Sequence, residues 1–143
     1  MRPGELISLR RGGAALEVAG RCRPEILSKQ DEKLLAEFAR ELPAAIGLAP
    51  SRVILVFDAD RKAIYAGKSQ SQSRACPQRA TLANDRLRKL AAQSGMQVID
   101  GYPVFQRHFA AGSGRLDRSP VDAHWNPAAH RLIAREIARL IER

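Results

Sequence analysis

Aromatic residues are scarce in this 143-residue chain, at 5%, with one tryptophan, two tyrosines and four phenylalanines. A core built from it must be filled mainly by Leu, Ile, Val and Ala, and a chain of this length can do that while burying roughly two-thirds of its unfolded surface. Cysteine is nearly absent. Cys22 and Cys76 stand far apart with no CxxC spacing, which excludes a zinc site of the usual kind and leaves one disulfide or two thiols equally open. No run approaches the roughly 20 apolar residues of a membrane helix. The opening Met1-Arg2-Pro3-Gly4-Glu5 lacks the apolar core of a secretory signal, so the chain as given is expected to be cytoplasmic and to avoid membranes.

Acidic residues are in deficit as well. Against 15 Asp and Glu stand 24 Lys and Arg, 19 of them Arg, for a formal charge of +9. Such an excess can serve a nucleic acid or another acidic polymer. Here the arginines are scattered along the chain rather than gathered in a block with interleaved aromatics. A solvated basic surface is therefore expected, and no nucleic-acid partner.

What is present reads as one α/β domain behind an N-terminal segment. Residues 1–24 form an arm or hairpin, with the apolar runs Leu6-Ile7-Ser8-Leu9 and Ala15-Leu16-Glu17-Val18 around Gly12-Gly13. Residues 25–143 are the domain proper. Ser28 with Asp31 is a helix N-cap signature, and Leu34, Leu35, Phe38 and Leu42 recur at helical spacing; together they predict a helix over about 29–42 that Pro43 ends or kinks. The continuous run Arg-Val-Ile-Leu-Val-Phe-Asp at 52–58 is the likeness of a central strand buried on both faces of a parallel sheet. Residues 68–73 read as an exposed loop. A helix starting near Pro77 and carrying Leu82, Leu87, Leu90 and Ala91 is capped by Gly95 and leads to a second strand at 96–100. Strand, helix, strand is a βαβ unit, so the expected fold is α/β with a mainly parallel sheet flanked by helices. A short helix over about 103–110, a Gly-Ser-Gly loop and a last helix opened by Asn126 and Pro127 complete the chain.

Asp122-Ala123-His124 places a carboxylate two residues before an imidazole. The carboxylate can hold one ring nitrogen and leave the other free to accept a proton. For an isolated Asp-x-His the plainer reading is a turn carboxylate beside a packed polar histidine. The flanking residues change the balance. Asp122-Ala123-His124-Trp125-Asn126-Pro127-Ala128-Ala129-His130, followed by an amphipathic Ala/Ile/Leu helix, resembles the final block of the SGNH (GDSL-like) hydrolases, in the subgroup that closes on Asp-x-His-Trp-Asn-x-x-Gly-His. A looser resemblance in element order covers roughly residues 30–143. It implies a three-layer α/β fold of which this chain is the C-terminal half. It also implies an ester hydrolase or acyl-transfer domain with a serine mechanism and no cofactor, acting on a small-molecule or O-acylated carbohydrate ester. Within it Asp122 orients His124 and His124 deprotonates a serine. His130 is then structural, Trp125 packs under the catalytic loop, and the parent family is often found in the cell envelope. The chain departs from the pattern at Ala129, where Gly is usual, and has no Gly-Asp-Ser nucleophile block, oxyanion-hole Gly block or Gly-x-Asn-Asp block. Asn84-Asp85 falls inside a predicted helix, and no serine shows a strand-to-loop context.

Two other classes compete. Asp58 and Asp60 end an apolar strand, as in magnesium-dependent phosphatases and nucleases that present two carboxylates to a hard cation. Against this, Arg61-Lys62 follows and no Asp-Asp occurs downstream, so the plainer reading is a turn in which they pair with Arg61. A metal held by Asp122, His124 and His130 lacks the HxxxH helical spacing, and no metal ligand is assigned. The third class is a non-catalytic module that binds a partner chain, self-associates or completes a domain through an exposed sheet edge. His108 is expected to be exposed on a short helix.

Overall fold

The computed structural model describes residues 25–73 and 78–142. The expected arm at 1–24, with Cys22, and the segment holding Cys76 lie outside the described residues. Helix α1 (Lys29–Ala45) opens on Ser28, whose hydroxyl accepts the Asp31 N–H while the Asp31 carboxylate accepts the Ser28 N–H. That reciprocal cap is worth about 1 kcal/mol. Pro43 does not end the helix: it lies buried inside the last turn, and the helix runs on to Ala45. So near the end it forfeits a single backbone bond, and the turn closes on Gly47 at φ 70°, with the Gly47 and Leu48 N–H groups on the Ala44 and Pro43 carbonyls.

Strand β1 (Ile54–Phe57) is followed by two short helices, α2 (Arg61–Tyr65) and α3 (Gln70–Ser73). The second replaces the loop expected at 68–73. Its start carries a capping box, in which the Gln72 side-chain carbonyl accepts the Ser69 N–H at 2.8 Å and the Ser69 hydroxyl accepts the Gln72 N–H at 3.2 Å. Helix α4 (Arg79–Gln93) then returns the chain to β2 (Gln97–Asp100), which pairs in parallel with β1 from Ile54↔Gln97 to Phe57↔Asp100. The expected βαβ unit is thus present, although residue burial in β1 differs from expectation. Phe57 is buried, but Ile54, Leu55 and Val56 are half-buried. The reason is that β1 has a partner on one side only; among the described residues neither strand is paired on its outer edge.

Successive strand side chains point to opposite faces, and both faces carry helix. Leu55 and Val98 pack with Ala39 and Leu42 of α1 and Leu87, Leu90 and Ala91 of α4. Ile54, Val56 and Ile99 pack on the other face, with Phe105 of helix α5 (Gly101–Ala110) among their neighbours. A hairpin of β3 (Asp117–Ser119) and β4 (Asp122–Trp125) follows, then helix α6 (Pro127–Ile141), whose Ala129 and Ile133 join that second cluster. Phe105 and Leu116 are its fully buried large side chains. No described helix is long and apolar enough to cross a membrane.

Helix α5 starts directly on the end of β2, two residues earlier than expected, because Asp100 accepts the Tyr102 N–H at 3.0 Å and caps it. Gly101 sits at that junction against the end of β1. A Cβ there would lie 2.7 Å from the Phe57 carbonyl oxygen, which belongs to the backbone and cannot swing aside. Gly101→Ala is therefore expected to destabilise the fold by about 1–3 kcal/mol, read as a lower urea midpoint with an unchanged slope.

Candidate functional site

The Asp122–His124 pair lies on β4 rather than in a loop. Strands β3 and β4 pair antiparallel, Ser119 opposite Asp122 and Asp117 opposite Trp125 with a register shift between, joined by Pro120 and Val121. Proline pre-sets φ near −65° for the first turn position, and no non-glycine residue of the described chain has a positive φ. Strand β3 (Asp117-Arg118-Ser119) has no apolar side chain, so the hairpin's apolar contacts come from Leu116 just before it and Trp125 on β4.

The hairpin's direction is set in addition by Arg61, on the first turn of α2. This residue is 7% exposed. Its Nε donates to Asp117 at 2.7 Å, Nη1 donates to Asp58 at 2.6 Å, and Nη2 donates to the Ala123 carbonyl. Burial works against the Arg61 charge, but Asp117 and Asp58 outweigh it and hold the guanidinium above its ordinary value. At Asp117 the partners win the same contest: burial pushes the carboxyl up, but hydrogen bonds from Arg61 and Tyr65 bring it below the usual carboxylate range. The Tyr65 hydroxyl also accepts the Leu116 N–H at 2.9 Å, fixing the entry to β3.

Residues of the motif fasten the hairpin to the rest of the domain. The Trp125 indole N–H donates to Asp58 at 2.9 Å, and its ring meets Phe105 and His130 edge-on at 5.5 and 5.4 Å between centroids. Asn126 accepts the Ala128 and Ala129 N–H groups as the cap of α6, and its amide donates to the Arg115 carbonyl at 2.8 Å. Pro127 occupies the first turn, as the sequence predicts. His130 lies against Trp125, and among the described residues no group of three His, Cys, Asp or Glu side chains is placed to hold a metal ion.

On this base Asp122 and His124 stand together. The His124 backbone N–H donates to Asp122 Oδ1 at 3.0 Å, and Nδ1 lies 2.5 Å from the same oxygen. These two bonds, the backbone one foremost, keep the Asp122 carboxyl below its ordinary range and ionised. An ionised acceptor selects the tautomer with hydrogen on Nδ1 and the lone pair on Nε2. The His124 side chain is 89% exposed, beside a shallow open depression lined by Val121, Asp122, Ala123 and His124. Among the described residues Asp122 is its only hydrogen-bond partner, and no serine hydroxyl reaches it.

Asp58 and Asp60 have other occupations. Asp58 Oδ1 takes bonds from Arg61, Trp125 and the Ala59 N–H, and Asp60 caps α2 by accepting the Ala63 N–H at 3.0 Å. They border a crevice of about 220 Å³ at the carboxyl ends of β1 and β2, with Thr81, Asn84, Asp85 and Arg88 among its lining. Arg88 bridges Asp85 and Asp100 there, at 2.8 and 2.5 Å. His108, expected to be exposed, is half-buried with its Nε2 enclosed and unpaired, because α5 turns that side toward α6. The residue that sequence reasoning undervalued is Arg61, for which the only local signal is its i,i+3 spacing from Asp58.

Comparisons with protein-family models, with curated proteins and with solved structures returned no match to this chain.

Two predictions follow the Arg61 geometry. Arg61→Ala strands the Asp117 carboxylate, whose side chain is 10% exposed, and is expected to cost about 3–5 kcal/mol in thermal or urea unfolding. Arg61→Lys recovers little, since one ammonium cannot serve acceptors in three directions with a planar fork. The pH dependence has a definite sign. Asp117 is depressed in the folded state, so its stabilisation is present above the unfolded carboxylate value of about 4 and is lost as the pH falls below it through the folded value. Fluorescence of Trp125, the single tryptophan, is expected to hold steady from pH 7 to about 5 and to red-shift only below about 4.

Proposed function

We propose that this chain is the carboxyl-terminal part of a three-layer SGNH-type α/β domain, and that Asp122 and His124 are its acid/base pair in ester hydrolysis or acyl transfer. The substrate class is a small-molecule or carbohydrate O-acyl ester. The observation that carries the reading is the 2.5 Å contact from Asp122 Oδ1 to His124 Nδ1, with the other ring nitrogen facing outward on an 89% exposed side chain. Support also comes from the helix-covered parallel pair and from the Trp125 and Asn126 clamp that holds β4 rigid beneath the imidazole.

In this mechanism a serine hydroxyl approaches His124 Nε2 from the solvent side of β4. Nε2 takes its proton as the serine oxygen bonds to the ester carbonyl carbon, and the carbonyl oxygen becomes an oxyanion. Asp122 stays ionised and stabilises the imidazolium. The imidazolium then returns the proton to the alkoxide oxygen as its bond to the acyl carbon breaks, releasing an alcohol and leaving an acyl-serine. Water or an acceptor hydroxyl, deprotonated by the same nitrogen, takes the acyl group and restores the serine. Nothing in these steps calls for a metal or a cofactor.

A second reading, a partner-binding or domain-completing module without turnover, is favoured by exposed apolar surface. Val121 is 97% exposed beside the histidine, and Leu34, Phe38 and Ile46 are about half exposed along and after α1. The unpaired outer edges of β1 and β2 among the described residues add to it.

Labelling of the purified chain with a serine-directed fluorophosphonate, followed by peptide mapping, separates the two. A single labelled serine, with labelling at least about 100-fold slower in His124→Ala, is the outcome expected of the hydrolase. A cooperatively folded chain that takes no label rejects turnover by this chain alone and leaves the partner-binding reading.

A further inference from the structure

Away from the hairpin, a groove of about 270 Å³ runs between α5 and α6. Helix α6 carries Arg131, Arg135 and Arg139 at four-residue intervals, which places them along one face. Arg135 and Arg139 line the groove from that side, and Arg107 and His108 line it from α5. Glu136 sets the geometry: its Oε1 accepts from Arg139 Nη1 at 2.7 Å and lies 3.8 Å from Arg107 Nη2. One carboxylate oxygen thus draws two guanidiniums toward the groove from opposite helices. Arg135 has no carboxylate partner among the described residues. Elsewhere the arginines that bridge elements are matched by acids, as Arg61 is by Asp58 and Asp117, Arg86 by Glu32 and Arg88 by Asp85 and Asp100.

Three guanidiniums against one carboxylate leave the groove with two uncompensated positive charges. We infer that the groove between α5 and α6 binds a phosphate group, held by Arg107, Arg135 and Arg139. A phosphate group carries about −1.5 to −2 at neutral pH, which matches that excess, and its oxygens suit the paired donors of a guanidinium fork. The cavity falls below the roughly 300–1,000 Å³ of sites that enclose a whole drug-sized ligand. It therefore admits the phosphate and leaves any larger attached group outside. His108 Nε2 is enclosed, so the contacts fall to the arginines. This site does not depend on the hydrolase reading.

The test is a titration of the isotope-labelled chain, followed by amide resonances, with inorganic phosphate for the free group and glucose 1-phosphate for the ester. Shifts are expected to be confined to residues 104–113 and 132–139. Arg135→Glu is expected to weaken binding about tenfold or more, whereas Arg40→Glu, the same charge change on an exposed residue of α1, changes it less than about twofold. Tighter binding of one probe identifies its chemistry as the source of the phosphate. Absence of shifts, shifts spread over the whole surface, or equal weakening by Arg40→Glu would overturn the site and reduce it to general attraction by a basic protein. Should Arg135→Glu fail to fold, Arg135→Ala is read by the same criteria.

Discussion

The guanidinium of Arg61 is the constraint on which the placement of the hairpin depends. It reaches Asp58 after β1, Asp117 on β3 and the backbone of Ala123 on β4, joining segments up to 62 positions apart. A hydrophobic side chain of the same volume would fill the space as well and avoid the cost of removing a charge from water. It would not fix direction. A planar fork with donors on three sides defines an angle as well as a distance, and β3, which has no apolar side chain of its own, takes that angle from outside.

The orientation of the Asp122–His124 pair follows from this. In β4 side chains alternate, and a slip by one residue would exchange the two faces. The Ala123 carbonyl is tied to Arg61 and the Trp125 indole to Asp58, which sets the register. Asp122 and His124 fall on the alternate positions, where the imidazole is left in solvent. Thus the contact between the two is local, two residues apart, but the direction in which its free nitrogen faces is a property of the whole domain.

How much of this was legible varies with how local each interaction is. The capping box at Ser28 and Asp31, the Asn126 cap with Pro127 at the start of α6, and the parallel pairing of two apolar runs through a helix are all matters of spacing and composition, and the structure has them. The capping box at Ser69 and Gln72 is equally local, but a run of Ser and Gln has the composition of a loop and hides it. Pro43 does not stop the helix, since its penalty is small one turn from a helix end. The half-buried state of β1 was out of reach, because an apolar run carries no information on how many neighbours its strand will have.

By itself, then, the sequence determined the α/β alternation, the main helix caps and the proximity of Asp122 to His124, each of which depends on residues within a few positions of one another. Only the tertiary structure decided that Asp122 and His124 lie on a strand, that Arg61 holds that strand, that Asp58 is engaged by Arg61 and Trp125, and that Arg107 comes to stand across from Arg135 and Arg139. The physical reason is common to the last three. Charged and hydrogen-bonded contacts between residues far apart in the chain leave no periodicity behind, and exist only once packing has brought the segments together.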